Sequence, residues 1–242
     1  MHSEFILGLV SLLTSTITGI VGLGGGMLLI AAMPVFLPAT LIIPLHSVTQ
    51  VASNASRALL ALKSVEWRLV PGFFLGSALG ICCFGLFFAN LPSRYLPLGI
   101  GSYILLSLWS TKFDRLVRRH ETFFSAGFFQ TGLGLMVGAT GPLTNTLVLK
   151  QVDNKETIIA TNAIFMMLTH LFKVIFIAAI GFEYLQHCLL ILVLVSGAIV
   201  GSWLGTRIRA TIDSQAFKVW LKWLLSALAF QMMMGVIWPL WY

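Results

Sequence analysis

The chain has 242 residues, 58% of them hydrophobic and only 10% charged, with a formal net charge of +7. A soluble globular domain carries about 25% charged residues, so these figures exclude one and point to a single membrane domain over residues 1–242. The basic excess reads as membrane orientation, because cytoplasmic loops collect Lys and Arg; nucleic acid is excluded as a partner.

The N-terminus, Met1-His2-Ser3-Glu4, has no basic n-region, and the apolar run after it ends in glycines without an Ala-x-Ala site. No cleaved signal peptide is expected there. Residues 5–37 form an apolar element broken at Gly19-Ile20-Val21-Gly22-Leu23-Gly24-Gly25-Gly26, and five glycines in eight residues do not propagate a helix cheaply. Apolar runs suited to crossing a bilayer, which takes roughly 20 residues, follow at 41–62, 69–91 and 95–110. Residues 111–121 read as a solvated cytoplasmic connector. A second broken element spans 122–149, with its break at Gly138-Ala139-Thr140-Gly141-Pro142, and runs at 157–181, 188–205 and 217–241 complete the chain. Cys82, Cys83 and Cys188 lie in apolar runs and read as small packing residues, without disulfide or metal-ligand spacing. Trp67, Trp109, Trp238 and Trp241 fall near predicted helix ends, as an interfacial aromatic belt requires.

An internal repeat runs through this order. At an offset of 116 residues Gly22 falls on Gly138, Gly25 on Gly141 and Gly26 on Pro142, and further on His46 falls on Asn162, Asn54 on His170 and Arg57 on Lys173. At an offset of 121, Gly76-Ser77-Ala78-Leu79-Gly80 lies on Gly197-Ala198-Ile199-Val200-Gly201. The repeats are thus 1–110 and 122–242.

Charge then sets the topology. Of fifteen Lys and Arg, Arg57 and Lys173 lie inside helices and only Arg94 falls outside four connectors, those near 63–68, 112–119, 150–155 and 207–222. With those connectors in the cytoplasm, residues 122–149 must enter and return on one side, and 5–37 must do the same from the outer face. The expected fold is all-α and polytopic: two inverted repeats, each a glycine-broken re-entrant hairpin plus three transmembrane helices, an architecture common in secondary transporters.

Three features carry chemistry. The glycine breaks read either as midplane turns whose N–H groups face a ligand, with a half-helix starting near Met27 aiming its positive end at an anion, or as close packing by small residues. Arg57 and Lys173 have no carboxylate within a span to neutralise them, since all eight acids lie at ends or in connectors. They read either as anion ligands or as snorkelling or helix-capping cations. His46, Thr49, Gln50, Ser53, Asn54 and Arg57 share one helical face, and Asn162, Thr169, His170 and Lys173 form its counterpart. Such faces serve a substrate path or interhelical hydrogen bonds, and His46 and His170 are the groups suited to a coupled proton.

Gly22-Leu23-Gly24-Gly25-Gly26, Pro34 eight residues on, the His-, Ser- and Asn-bearing helix and Val65-Glu66-Trp67-Arg68 together resemble the TauE/SafE family of sulfite exporters. The run Gly197-Ala198-Ile199-Val200-Gly201-Ser202-Trp203-Leu204-Gly205 is similar in the second half, so the resemblance covers nearly the whole chain. The second break departs from the pattern, which usually repeats the first. The resemblance implies a bacterial inner-membrane protein that moves sulfite, sulfonates or related small organic anions.

The expectation is alternating-access export of a small anion. Gly22, Gly24, Gly25, Gly26 and Gly141 would supply N–H donors; Ser53, Asn54, Thr140 and Asn162 would orient the anion; Arg57 and Lys173 would supply charge. The partners are that anion and the lipid bilayer, no cofactor is implied, and the sequence assigns no oligomeric state. A passive anion channel and a non-transporting scaffold are the alternatives. An enzyme is not expected, because the sequence offers no Gly-x-Ser-Gly, no His-Glu-x-x-His and no acid within a span.

Overall fold

A computed structural model describes residues 2–22, 24–88, 92–117, 122–140, 143–209 and 214–237, and among these it contains helices and no strand. In chain order the helices are α1 (His2–Val21), α2 (Gly25–Ala32), α3 (Ala39–Leu60), α4 (Val70–Phe88), α5 (Leu96–Trp109), α6 (Thr111–Val117), α7 (Phe123–Val137), α8 (Asn145–Leu149), α9 (Lys155–Ala179), α10 (Cys188–Ile208) and α11 (Ser214–Ile237). Among the described residues, four segments are long and apolar enough to cross a membrane: Glu4–Val21, Trp67–Phe88, Lys155–Ala179 and Tyr184–Ile208. This is a polytopic membrane protein. Helix α3 matches them in length but devotes one face to buried polar residues.

Each glycine break folds the chain back on the helix before it. Gly22 and Gly24 take φ of 88° and 95°, where a side chain would be strained, and the turn lays Gly25 against the Thr14 carbonyl and the Thr18 hydroxyl. A Cβ at Gly25 would overlap that carbonyl, so only glycine permits the approach. In the second half Gly138 takes φ 73°, and the chain returns so that the Leu143 and Thr144 N–H groups reach the Gln130 side chain. Thr14 and Gln130 are themselves 116 residues apart. The arms are unequal: α1 has 20 residues, about 30 Å at 1.5 Å per residue, whereas α2 has eight, about 12 Å.

Helix pairing repeats between the halves. Among the principal pairs are α1 with α10, α4 with α7, α3 with α9 and α5 with α11, and α3 also packs on α10. Exchanging the halves converts the first pair into the second and returns the other two to themselves. The seams agree residue by residue. Gly76 and Gly80 of α4 sit on the backbone carbonyls of Phe124 and Phe128, while Gly197 and Gly201 of α10 sit on those of Gly8 and Leu12. Small residues let these backbones meet, which is how helices associate where lipid offers no hydrophobic drive.

The structure departs from the sequence reading in four places. Residues 111–117 are helical rather than a loop, and Phe113 packs edge-on against Tyr103 with ring centroids 5.8 Å apart. Helix α11 begins at Ser214, which places Lys222 inside the helix, where its Nζ lies 3.8 Å from the centre of the Trp109 ring. Helix α2 begins at Gly25, two residues before Met27. Cys82, Cys83 and Cys188 are free but exposed on outer helix faces, because the seams are built by glycine instead. Of the belt tryptophans, Trp67 and Trp109 are exposed as expected; Trp238 and Trp241 lie outside the described residues, as do Arg118, Arg119 and Pro142.

Candidate functional site

Helices α3 and α9 cross antiparallel near their midpoints. The start of α3 meets the end of α9 around Pro44 and Ile177, and the end of α3 meets the start of α9 around Ala61 and Lys155. At the crossing the two polar faces oppose each other, and the His46 and His170 rings lie edge to face at 5.4 Å. Beside them is a chamber of about 30 Å3, whose polar walls are Thr18, Gln50, Asn54, Arg57, Asn162 and His170, with Gly22, Gly24 and Gly26 of the first break.

Most of those groups are held by bonds that fix their direction. Asn54 Nδ2 donates to the Gln50 carbonyl at 2.7 Å, and its Oδ1 accepts from Arg57 Nη2. Arg57 Nη1 donates to the Gly22 carbonyl at 3.3 Å, which caps the C-terminal end of α1. Cations are favoured there by the helix dipole. His46 Nε2 lies 2.9 Å from the Gly26 carbonyl and must donate to it. Asn162 holds the second break: its Oδ1 accepts from Thr144 Oγ1 at 2.7 Å and its Nδ2 donates to Asn145 Oδ1 at 3.0 Å. His46 and Asn162 occupy equivalent positions in the repeat and each ties its helix to a break.

Three sources of hydrogen-bond donors without a protein partner belong to residues of the chamber wall. Both ring nitrogens of His170 are buried and unpaired, and so is Arg57 Nε. The third is the first turn of α2, whose N–H groups have no acceptor within their own helix. Arg57 is 5% exposed, and no carboxylate lines the chamber among the described residues. Arg57 is thus a buried cation with an unpaired donor and no counter-charge in the chamber wall, an arrangement that is costly in a membrane interior.

The two halves contribute unequally. Lys173, the counterpart of Arg57, is fully buried and donates to the Gly138 carbonyl at 2.6 Å and the Gly134 carbonyl at 3.3 Å. It caps the end of α7 as Arg57 caps α1, at the same separation of 35 residues, but it is not part of the chamber wall. Arg57 therefore does not snorkel to the interface; both cations turn inward onto helix ends. At the second break the donors are already taken, because Gln130 Oε1 accepts from the Leu143 N–H at 2.9 Å and the Thr144 N–H at 3.4 Å. Among the other anticipated residues, Gly25 packs behind the chamber on α1. Ser53 turns to Ser202 of α10 at 2.9 Å. Thr140 donates to the Gln130 carbonyl at 3.3 Å, while its own carbonyl accepts from the Tyr103 hydroxyl at 2.7 Å. Gly141 lies outside the described residues. Thr18 and Gln130 were not anticipated: Thr18 donates within its own helix to the Thr14 carbonyl at 3.0 Å, and Gln130 Nε2 donates to Thr169 Oγ1 of α9 at 3.0 Å while its Oε1 holds the second break.

A family model described as Sulfite exporter TauE/SafE matches residues 7–232. No curated protein and no solved structure matches the chain.

Proposed function

The chain belongs to the TauE/SafE family of sulfite exporters, a family of membrane transporters, and on that premise we propose that it moves a small anion, sulfite or a short sulfonate, by alternating access through the chamber at the α3–α9 crossing. The observation that carries the reading is the chamber itself: its wall holds a buried Arg57 without a counter-charge, His170 with both ring nitrogens unpaired, and Gly26 and Met27 of the first turn of α2. The anion would accept from Arg57, His170 and the α2 amides, with Asn54 and Asn162 fixing the frame around it.

Alternating access is favoured over a passive channel by the walls. The chamber holds about one or two waters, so an anion of four or more heavy atoms enters only when the surrounding helices part. On the α3 N-terminal side Ile42, Ile43, Leu45 and Ile177 are buried in the larger apolar cluster. We read residues 1–110 and 122–242 as inverted repeats joined by 111–121; the exchange of helix pairs and the matched Arg57–Gly22 and Lys173–Gly138 caps support this. The basic connectors near 63–68 and 150–155 support a reading in which the end of α3 and the start of α9 lie on the cytoplasmic side of a bacterial inner membrane. Transport toward the outside is the direction in keeping with the family. His170, in contact with His46, is the group we assign to any coupled proton.

Binding is testable apart from flux. Detergent-solubilised protein in sulfite at about 100 times its dissociation constant should gain about 2.7 kcal/mol of stability, read as a raised melting temperature, with chloride at equal ionic strength as control. His170→Leu removes two unpaired nitrogens and no hydrogen bond. It should leave the melting temperature without sulfite nearly unchanged and remove at least half of the sulfite-dependent rise. An equal rise in the variant would remove His170 from the site.

A further inference from the structure

A second cavity, of about 500 Å3, opens at the end of the crossing where α3 finishes and α9 begins. Arg57 lies in its wall as well as in the wall of the inner chamber, so one side chain separates the two spaces. The cavity is also lined by Arg209, Lys155, Glu156, Asn154 and Thr206. Three cations face one carboxylate.

The guanidinium groups are placed by the same helix end. Arg209 Nε donates to the Gly19 carbonyl at 2.7 Å and Arg57 Nη1 to the Gly22 carbonyl, three residues on in the last turn of α1. Fixed this way, the two like charges repel each other. Glu156 attracts Arg209, but it offsets only one of the three cations. Asn154 Oδ1 already accepts from the Glu156 and Thr157 N–H groups at 2.9 and 3.1 Å, so the N-terminus of α9 is capped and the case does not rest on it. It rests on Arg57, which is buried, lines both spaces and has its Nε unpaired.

We propose that this outer cavity is an entry site for a small oxyanion, in which Arg209 and Lys155 gather the anion and Arg57 hands it to the inner chamber. The inference rests on the anion-transport reading and adds to it a separate loading site on the face that the basic connectors mark as cytoplasmic. Concentrating anions at a focused positive cleft raises their capture rate by about 10-fold or more. Loading is thereby favoured from the cytoplasmic side, the direction an exporter needs.

Two measurements test it. In a chain with Cys82, Cys83 and Cys188 replaced by alanine, a cysteine is placed at Ala61, which lines the cavity. An anionic methanethiosulfonate reagent should label it about tenfold faster than a cationic one, and sulfate should slow the labelling. Lys155→Gln and Arg209→Gln should each bring the two rates closer together. Equal rates in the parent, or labelling indifferent to sulfate, would overturn the proposal. In proteoliposomes the same substitutions should raise the KM for sulfite about fivefold at unchanged maximal rate, with Arg209→Lys restoring it in part. An unchanged KM in both variants would also overturn it. Lys155 is exposed, so it reports even if Arg209→Gln folds poorly. If the parent carries no anion, the transport reading fails, yet the labelling still decides whether the site exists. An anionic phospholipid headgroup shares this chemistry. A KM effect that persists in phosphatidylcholine vesicles assigns the site to the free anion; one that appears only with phosphatidylglycerol assigns it to lipid and overturns the entry role.

Discussion

Arg57→Ala is expected to reduce sulfite flux in proteoliposomes by about 30-fold to several hundredfold. Arg57 is the only charged residue in the chamber wall among the described residues, and it is 5% exposed. Hydrogen bonds to a charged group contribute about 1.5–3 kcal/mol each, and an anion in the chamber would take its bond from Nε, the nitrogen without a protein partner. The remaining nitrogens hold Asn54 and the Gly22 carbonyl, so alanine also releases the end of α1 and the neighbouring amide. Arg57→Lys keeps the charge but loses the fork that serves Asn54, Gly22 and the chamber together; it should restore only part of the flux, with a raised KM. Flux unchanged in Arg57→Ala would make this residue a helix cap alone.

Lys173→Ala should fail differently. Its Nζ bonds two carbonyls at the end of α7 and its side chain is fully buried away from the chamber. Truncation leaves a cavity and two unsatisfied acceptors, a loss of about 3–5 kcal/mol. The expected result is a sharply lowered melting temperature and yield, with the KM of the surviving folded protein close to wild type. Lys173→Met refills much of the volume without the hydrogen bonds and should recover part of the stability. A raised KM in Lys173→Met at near-normal stability would instead place Lys173 in the transport path. Matched register therefore predicts a shared capping role for the two cations, and position relative to the chamber predicts separate functional ones.

Much of this was legible beforehand because membrane burial makes polar residues conspicuous. The three- and four-residue spacing of Gln50, Asn54 and Arg57 already put them on one face, and they share the chamber. The 116-residue offset aligned Arg57 with Lys173 and Gly22 with Gly138, which are the very partners in the two caps. The offset also pairs unlike residues, and one such pair, Thr14 and Gln130, sets the two breaks apart. Where the first half has Thr14, leaving the α2 amides free, the second has Gln130, whose amide oxygen takes the equivalent donors. Ser53 and Asn54 illustrate the other limit. Adjacent on α3, they point about 100° apart, so one meets Ser202 and the other the chamber. Sequence spacing assigns a face; which neighbour covers that face depends on how α10 and α1 pack against it.

The central claim, that this chain carries a small anion through the α3–α9 crossing, is tested most directly by sulfite flux from sealed proteoliposomes holding the wild-type protein, with protein-free vesicles as the baseline. The account predicts saturable flux that competes with a short sulfonate. Flux at the protein-free baseline for both anions, from protein shown to be folded by its melting transition, would contradict it.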